Sequence, residues 1–159
     1  MPWQGAAQEL KPKLDRMTDL IDKYHASGYL VSLLGTSAGG SAVINVYAMR
    51  KAKVHKVINV CGRLRSGEGA RPTLKEAANR SKSFYDSVLQ CEKVMTKFTG
   101  EDCRKILTFR PLFDELVPPS TVTVPGAKNV HLPAIEHIIS IMFTITMFSE
   151  KIVGFILEE

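Results

Sequence analysis

The segment YLVSLLGTSAGGSAVINVYAMR, residues 29–50, constrains the fold more than any other part of the 159-residue sequence. Its first residues form a short apolar run typical of a strand that is buried on both faces, and the small residues that follow are typical of a closely packed helix. A second apolar run, VHKVINVCG, begins soon afterwards at Val54. A strand, a helix and a further strand within about 30 residues predict a βαβ unit, whose two strands are parallel.

Helical and strand-like patterns also alternate along the rest of the chain. Apolar residues at spacings of three and four predict a helix from Ala7 to His25, and Thr73 with Glu76 predicts a capping box at the start of further helices. The segments KILTFR and KNVHLP predict two more strands. The apolar C-terminal segment predicts a buried helix packed on the sheet, and the alternative is a helix on a membrane surface. The predicted class is α/β, with a partly parallel sheet of about four strands and helices on both faces, in a single domain over residues 1–159.

Composition and charge narrow the classes of partner. The net charge of +5 comes from scattered basic residues, and aromatic residues make up only 8% of the chain, so we expect no nucleic acid partner. The cysteines at positions 61, 91 and 103 lack CxxC spacing, so we expect no disulfide framework, metal or cofactor. The N-terminus does not resemble a secretory signal, and Glu150 interrupts the longest apolar run. The sequence therefore predicts a cytoplasmic protein without a membrane span.

Residues 35–39, GTSAG, fit the pattern G-x-S-x-G and are called the elbow below. The pattern has chemical meaning only where a strand turns sharply into a helix, and both flanking patterns are present here. A serine on such a turn exposes its hydroxyl above the sheet, and the flanking glycines let strand and helix approach closely. The N–H of Ala38 can then donate to a developing oxyanion. Ser37 is a candidate nucleophile, and the alternative is a turn serine without chemistry.

A serine nucleophile needs a base that takes its proton and an acid that orients the base. Asp114 follows the third predicted strand, and His137 follows the fourth. Because the carboxyl ends of parallel strands meet at one edge of a sheet, the order Ser37, Asp114, His137 predicts that these side chains come together. Two alternatives stay open at this point. Glu115 competes with Asp114 as the acid, and His131 competes with His137 as the base.

The segments LLGTSAGG, FDELVP and HLPAIEHIISI together resemble the corresponding parts of the α/β-hydrolase superfamily, in its esterase and lipase branch. The resemblance covers nearly the whole chain, and the three segments together are more specific than the elbow alone. It implies a serine hydrolase that cleaves a small, mostly apolar ester or thioester through an acyl-enzyme. The roles implied are Ser37 as nucleophile, His137 as base, Asp114 as orienting acid and Ala38 as oxyanion donor. The alternative is a hydrolase-like domain without turnover, either a remnant or a subunit of a larger assembly.

Two features depart from the pattern of the family. Glu136 precedes the histidine at a position where members often have glycine, and it either perturbs the base or faces solvent. Members also begin with several strands and a loop, commonly His-Gly, that donates a second oxyanion N–H. This chain begins in the helix before the elbow and so resembles the C-terminal half of the fold. The strand from Tyr29 to Leu34 would lie at a sheet edge, and we expect a second copy or a partner chain to cover it.

A few other residues near the predicted site have two interpretations each. Phe84 and Tyr85, on a helix after the glycine-rich loop, either line an acyl pocket or pack on the core. Cys61 ends the second strand and either borders the pocket or is an ordinary buried thiol. His25 and His55 fall at a helix end and a strand start, and we assign both to the surface.

Overall fold

The computed structural model describes residues 9–79 and 81–158, in which helices and strands alternate. The helices are α1 (Leu10–Ala26), α2 (Gly39–Met49), α3 (Leu74–Ala77), α4 (Lys82–Met95), α5 (Gly100–Arg104), α6 (His137–Met147) and α7 (Ser149–Leu157). The strands are β1 (Val31–Thr36), β2 (Val54–Val60), β3 (Ile106–Pro111) and β4 (Lys128–Leu132). The predicted α/β class is confirmed. Ala7 and Gln8, the first residues of the helix predicted at the N-terminus, lie outside the described residues.

The four strands form one sheet in the order β1-β2-β3-β4, and each neighbouring pair is parallel. The sheet is therefore more regular than the partly parallel sheet that the sequence predicts. The register places Thr36 opposite Val60, Val60 opposite Phe109, and Pro111 opposite Leu132. The strands thus end at a common edge, and the segments that follow them begin next to one another.

Helix α2 lies at the centre of the predicted βαβ unit and is buried almost throughout. Every residue from Gly40 to Tyr47 is buried, because α2 packs on β1 and β2 and is covered by α1 and α4. Small side chains on α2 make this close packing sterically feasible. The hydroxyl of Tyr47 donates to the carbonyl of Asp102 at 3.1 Å and so satisfies its polar end. The elbow at the start of α2 is consequently held by a rigid element.

Hydrophobic residues pack on both faces of the sheet. On one face, Leu14 of α1 and Ile44 of α2 belong to a cluster that also contains Cys91 of α4. On the other face, Phe155 of α7 packs in a second cluster with Phe109 of β3. The helices on both faces that the sequence predicts are therefore present.

The C-terminal segment differs from the single buried helix that the sequence predicts. It forms α6 and α7, which are separated at Phe148 and bent by 60°. Helix α6 buries the polar residues His137, Ser140 and Thr144. The hydroxyls of Ser140 and Thr144 donate to carbonyls four residues earlier in the chain. The exposed face of α6 carries the large apolar residues Ile138, Ile139, Met142 and Ile145. The polar face of α6 turns inward because His137 bonds to buried Asp114, and Ile138, Ile139 and Ile145 then face outward.

No single helix within residues 9–79 and 81–158 has the length and apolar composition needed to cross a membrane. Helices α6 and α7 meet both criteria only when they are taken together as a bent pair. Part of that pair is packed on the sheet, since Ile152 and Phe155 of α7 are buried in the core.

Strand β1 is the edge strand of the described sheet next to the elbow. Gly35 is its one buried residue, and the Leu34 side chain is 46% exposed, whereas six of the seven residues of β2 are buried. An uncovered apolar edge can pair with another chain. That a second copy or a partner chain covers this edge stays a prediction.

We expect the purified 159-residue chain to have the mass of a dimer in static light scattering, because two identical edges can pair about a two-fold axis. Leu34→Lys should shift the mass to that of a monomer, since a lysine on an edge strand opposes pairing. The matched control is Leu89→Lys on α4, where the leucine is 41% exposed, and this variant should remain dimeric. A stable wild-type monomer would contradict the prediction.

Candidate active site

Ser37 occupies the turn between β1 and α2 in a strained conformation. Its φ of 49° lies in the left-handed region, which residues other than glycine rarely adopt. Its N–H donates to the carbonyl of Val60 at 3.1 Å, and its carbonyl accepts the N–H of Gly40 at 3.1 Å. These backbone bonds hold the serine in the strained turn that G-x-S-x-G predicts.

Close backbone packing at the elbow depends on Gly35 and Gly40. A Cβ atom on Gly35 would lie 2.5 Å from the carbonyl oxygen of Gly39, and one on Gly40 would lie 2.1 Å from Asn59 Oδ1. A Cβ atom on Gly39 would meet nothing within 4 Å. The prediction that both glycines flanking the serine permit close approach is therefore right for Gly35 and wrong for Gly39. The second close approach occurs one residue later, at Gly40.

Asn59 supports the elbow from β2, and the sequence analysis missed it. It is fully buried, and its Nδ2 donates to the carbonyls of Gly62 at 3.0 Å and Val122 at 3.3 Å. Its Oδ1 accepts the N–H of Gly62 at 3.1 Å. The signal in the sequence is an amide residue in the apolar second half of β2, since a buried amide needs several hydrogen-bond partners.

We expect Gly40→Ala to lower the free energy of unfolding by about 1–3 kcal/mol, because the new methyl group overlaps Asn59. Gly39→Ala is the matched control at the neighbouring position. Its methyl group meets open space, so the free energy of unfolding should change by less than about 1 kcal/mol. Urea unfolding of both variants measures the difference. Equal losses at the two positions would show that the packing behind the elbow is not the constraint.

Asp114 lies in the turn after β3, where its carboxylate is bound on both oxygens. Oδ1 accepts the N–H groups of Leu116 at 2.9 Å and Val117 at 2.7 Å. Oδ2 is 2.6 Å from Nδ1 of His137, and both side chains are almost completely buried. Because a carboxylate oxygen accepts hydrogen bonds, we assign the ring proton to Nδ1, which donates a hydrogen bond to Oδ2 of Asp114. The turn therefore holds the carboxylate, and the carboxylate orients the imidazole.

The other ring nitrogen of His137, Nε2, lies 2.8 Å from the Oγ atom of Ser37. In the neutral ring Nδ1 carries the proton, so Nε2 accepts and the serine hydroxyl donates. The structure thus brings together Ser37, Asp114 and His137 from three separate segments. A base in contact with a serine hydroxyl can activate it as a nucleophile. The catalytic roles of the three residues stay a prediction.

The residues that competed with Asp114 and His137 in the sequence lie elsewhere or make other contacts. His131 is exposed on β4. The Glu115 side chain contacts the backbone of His137, since Oε2 of Glu115 accepts the N–H of His137 at 3.2 Å. The dipeptide Asp114-Glu115 therefore holds His137 both by its ring and by its backbone, a contact that the sequence did not predict.

Glu136 caps α6 at its N-terminus. Its carboxylate accepts the N–H groups of Ile138 at 3.1 Å and Ile139 at 2.6 Å. These two backbone bonds hold the pKa of Glu136 below its usual value, so the residue is a carboxylate at neutral pH. The helix that begins with His137 is thus fixed at its first turn.

The backbone N–H of Ala38 lies immediately before α2. Within the described part of the chain it has no hydrogen-bond acceptor. The N-terminal end of an eleven-residue helix also carries a partial positive charge. The amide can therefore donate to an anionic oxygen next to Ser37, which is the role that the sequence predicts for it.

Cys61 is a buried thiol next to the site, in agreement with the simpler of its two interpretations. Its φ of 54° is left-handed, and its N–H donates to the carbonyl of Phe109 at 2.9 Å. Burial and the nearby charge of Asp114 raise the pKa of Cys61 to about 12. The thiol is thus protonated at neutral pH and is a poor nucleophile.

A half-open cavity of about 420 Å³ adjoins Ser37. Its walls include the apolar side chains of Met17, Leu34 and Val43. Phe84, whose role was open, is buried in a small cluster with Val88, and Ala38 packs against that cluster. Tyr85 is 37% exposed. Phe84 therefore supports the elbow from α4 by packing.

No protein-family model matches the sequence, and no curated protein matches it at a significant level. Many solved structures are nevertheless similar in fold. One of them comes from a study of LipS and LipT, two lipolytic enzymes derived from a metagenome. It is 13% identical to this chain with a TM-score of 0.73, over 94% of this chain and 74% of the other.

Two further structures have similar values. The α/β hydrolase MGS-M2, from a deep-sea metagenome library of the Medee basin, is 13% identical with a TM-score of 0.67, over 96% of this chain and 74% of the other. The enol-lactonase from Burkholderia xenovorans LB400 is 15% identical with a TM-score of 0.62, over 97% of this chain and 75% of the other. Identities this low establish a common fold and leave the activity open. The chain therefore has the α/β-hydrolase fold.

Proposed function

We propose that this protein is a serine hydrolase that cleaves a small, mostly apolar ester or thioester through an acyl-enzyme. The observation that carries the proposal is the chain of two hydrogen bonds from Asp114 through His137 to Ser37, at 2.6 and 2.8 Å. The strained turn under Ser37 supports the same interpretation, because strain of this kind concentrates at functional sites.

In the first half of the reaction, Ser37 Oγ attacks the acyl carbon while its proton passes to Nε2 of His137. The new imidazolium donates from Nδ1 to Asp114, whose charge stabilises it. The N–H of Ala38 donates to the oxyanion that forms on the former carbonyl oxygen. His137 then gives its proton to the leaving alcohol or thiol, and the acyl group remains on Ser37.

In the second half, a water molecule replaces the leaving group beside His137. The water attacks the acyl carbon while Nε2 takes one of its protons. Nε2 then returns a proton to Ser37 when the acid departs. The same three side chains therefore serve both halves. The N–H groups of Leu116 and Val117 hold the Asp114 carboxylate in place in both halves.

The substrate class rests on the surroundings of Ser37. The adjoining cavity of about 420 Å³ has walls formed by Met17, Leu34 and Val43, which suits a small apolar acyl group. Similar structures include proteins named as lipolytic enzymes and as an enol-lactonase, which supports an ester as the bond cleaved. A cytoplasmic location is part of the proposal, and the three unpaired cysteines support it.

A fluorophosphonate probe tests the proposal, since it reacts covalently with an activated serine hydroxyl. We expect the wild-type chain to be labelled at Ser37, as located by peptide mass spectrometry. Ser37→Ala should abolish labelling. The matched control is Ser32→Ala, which removes from the neighbouring β1 a hydroxyl that has no hydrogen-bond partner among the described residues and should leave labelling intact. An unlabelled but folded wild type would favour a hydrolase-like domain without turnover.

The pH dependence of kcat/KM should follow the protonation of the base. Because only the neutral imidazole accepts the serine proton, kcat/KM should rise as the pH increases towards neutrality and level off above it. A thiolate cannot produce the same rise, since the raised pKa of Cys61, about 12, keeps that thiol protonated over this range. Activity that increases as the pH falls would exclude a neutral histidine base.

A further inference from the structure

A second half-open cavity, of about 570 Å³, lies at the edge of the sheet opposite the elbow. Basic residues of its wall come from the starts of three adjacent strands. Lys56 lies near the start of β2, Lys105 lies just before β3, and Lys128 is the first residue of β4. Because the strands are parallel, these residues share the amino-terminal edge of the sheet, whereas Ser37 lies at the carboxyl-terminal edge.

An irregular register at the start of β2 gives this edge its shape. Val54 pairs with Val31 and Val57 pairs with Leu33, so that His55 and Lys56 together oppose the single residue Ser32. Such a bulge changes the direction of the side chains around it. Both residues contact α7: His55 Nε2 lies 2.8 Å from the carbonyl oxygen of Ile156, and the Lys56 ammonium lies over the ring of Phe155. His55, which the sequence assigns to the surface, is thus partly exposed and partly covered by α7.

The Lys56 side chain is only 6% exposed, yet its charge is incompletely compensated. Its Nζ atom lies 5.0 Å from the centroid of the Phe155 ring, and among the described residues it has no hydrogen-bond or ion-pair acceptor. The stem of Lys56 is buried, while its ammonium faces the cavity, and the cation–π contact leaves its three hydrogen-bond donors unused. Since Lys56 also lines the cavity, an anion within the cavity would supply the missing acceptor.

The charge of the remaining wall is also positive. Lys128 pairs with Glu158 at 2.9 Å, and Lys105 donates to the carbonyl of Val54 at 3.3 Å, so both ammonium groups are held near the cavity. Exposed Arg104 adds a guanidinium. The cavity wall contains four cationic side chains and two carboxylates, namely Lys56, Arg104, Lys105 and Lys128 against Glu101 and Glu158.

We propose that this cavity is a binding site for a phosphate group of a small molecule or a lipid headgroup. A phosphate monoester carries up to two negative charges and three acceptor oxygens, which matches cations that converge from β2, β4, α5 and the residue before β3. The cavity volume lies within the range of small-ligand sites. Phe155 provides an apolar wall for the part of the ligand that bears the phosphate. The site is separate from Ser37 and does not depend on the hydrolase proposal.

Isothermal titration of the full chain with inorganic pyrophosphate tests the site. We expect a dissociation constant below about 1 mM, and we expect Lys56→Met to weaken binding about tenfold, because methionine keeps the apolar stem and removes the charge. Arg104→Gln alters an exposed residue and should weaken binding several-fold without affecting folding. If Lys56→Met does not fold, the affinity of Arg104→Gln for pyrophosphate therefore tests the site. Lys93→Met on α4 has the same change in net charge away from the cavity, and Ser37→Ala alters the candidate nucleophile. Both should bind like the wild type.

Sedimentation with phosphatidylcholine vesicles that contain phosphatidic acid separates the two sources of phosphate. Binding to these vesicles but not to pyrophosphate, with loss in Lys56→Met or Arg104→Gln, would assign the phosphate to a lipid headgroup. Binding to pyrophosphate with the same loss would assign it to a free ligand. Absence of binding to both probes, or equal affinity in the cavity variants and in Lys93→Met, would overturn the proposal.

Discussion

Replacing Ser37 with alanine is expected to reduce kcat for a short-chain ester by about 10⁴–10⁶-fold, to near the background rate. The hydroxyl is the only group removed, and it is the group that contacts Nε2 of His137 at 2.8 Å. His137→Ala should cause a loss of similar size, because without the base the hydroxyl is a poor nucleophile. Hydrolysis of a chromogenic ester such as 4-nitrophenyl acetate measures both losses.

The double variant separates a shared mechanism from two independent effects. If Ser37 and His137 act as a unit, combining the two substitutions should reduce kcat little further than either one alone. Losses that multiply would contradict the mechanism. Ser32→Ala and His131→Ala are the matched controls. Ser32→Ala removes a serine hydroxyl from β1 and His131→Ala removes an imidazole from β4, both outside the site, so both variants should keep wild-type kcat.

Asp114→Asn is expected to reduce kcat by about 10⁴-fold while leaving the turn intact. The amide oxygen of asparagine can still accept the N–H groups of Leu116 and Val117, so its NH₂ group then faces Nδ1 of His137. Nδ1 must accept that hydrogen bond, which moves the ring proton to Nε2. With a proton on Nε2, the imidazole can no longer accept the proton of Ser37.

Two measurements accompany the kinetics of Asp114→Asn. The midpoint of thermal unfolding should change little if the turn keeps its hydrogen bonds, and ¹⁵N NMR of the imidazole should report the change of tautomer. Glu115→Gln is the matched control, because the amide oxygen of glutamine can still accept the N–H of His137 and the ring is untouched. A loss in Glu115→Gln as large as that in Asp114→Asn would move the role of the acid to Glu115.

Features that depend on a few neighbouring residues could be predicted from the sequence. Thr73 accepts the N–H of Glu76, and the Glu76 carboxylate accepts the N–H of Thr73, so the predicted capping box is confirmed. The βαβ unit around the elbow is also confirmed, because an apolar strand and a small-residue helix leave a distinct local pattern. The catalytic roles assigned to Ser37, Asp114 and His137 stay a prediction, although the structure brings their side chains together.

Features that depend on distant segments could not be predicted. The apolar composition of the C-terminal segment suggested a buried helix, but α6 turns Ile138 and Ile139 outward because His137 faces Asp114, 23 residues earlier in the chain. The G-x-S-x-G pattern likewise did not identify Gly40, because the clash that requires glycine there comes from Asn59 on the next strand.

The sequence by itself determined the four strands, the parallel pairing of β1 with β2 and the strained turn at Ser37, since each follows from patterns within a short segment. The tertiary structure alone decided which polar groups meet. Nε2 of His137 contacts a hydroxyl that is 100 residues away in the chain, and Lys56 lines a cavity together with residues of β4, α5 and α7. Distances between such groups are set by how the helices pack on the sheet, and packing depends on the shapes of all the buried side chains at once.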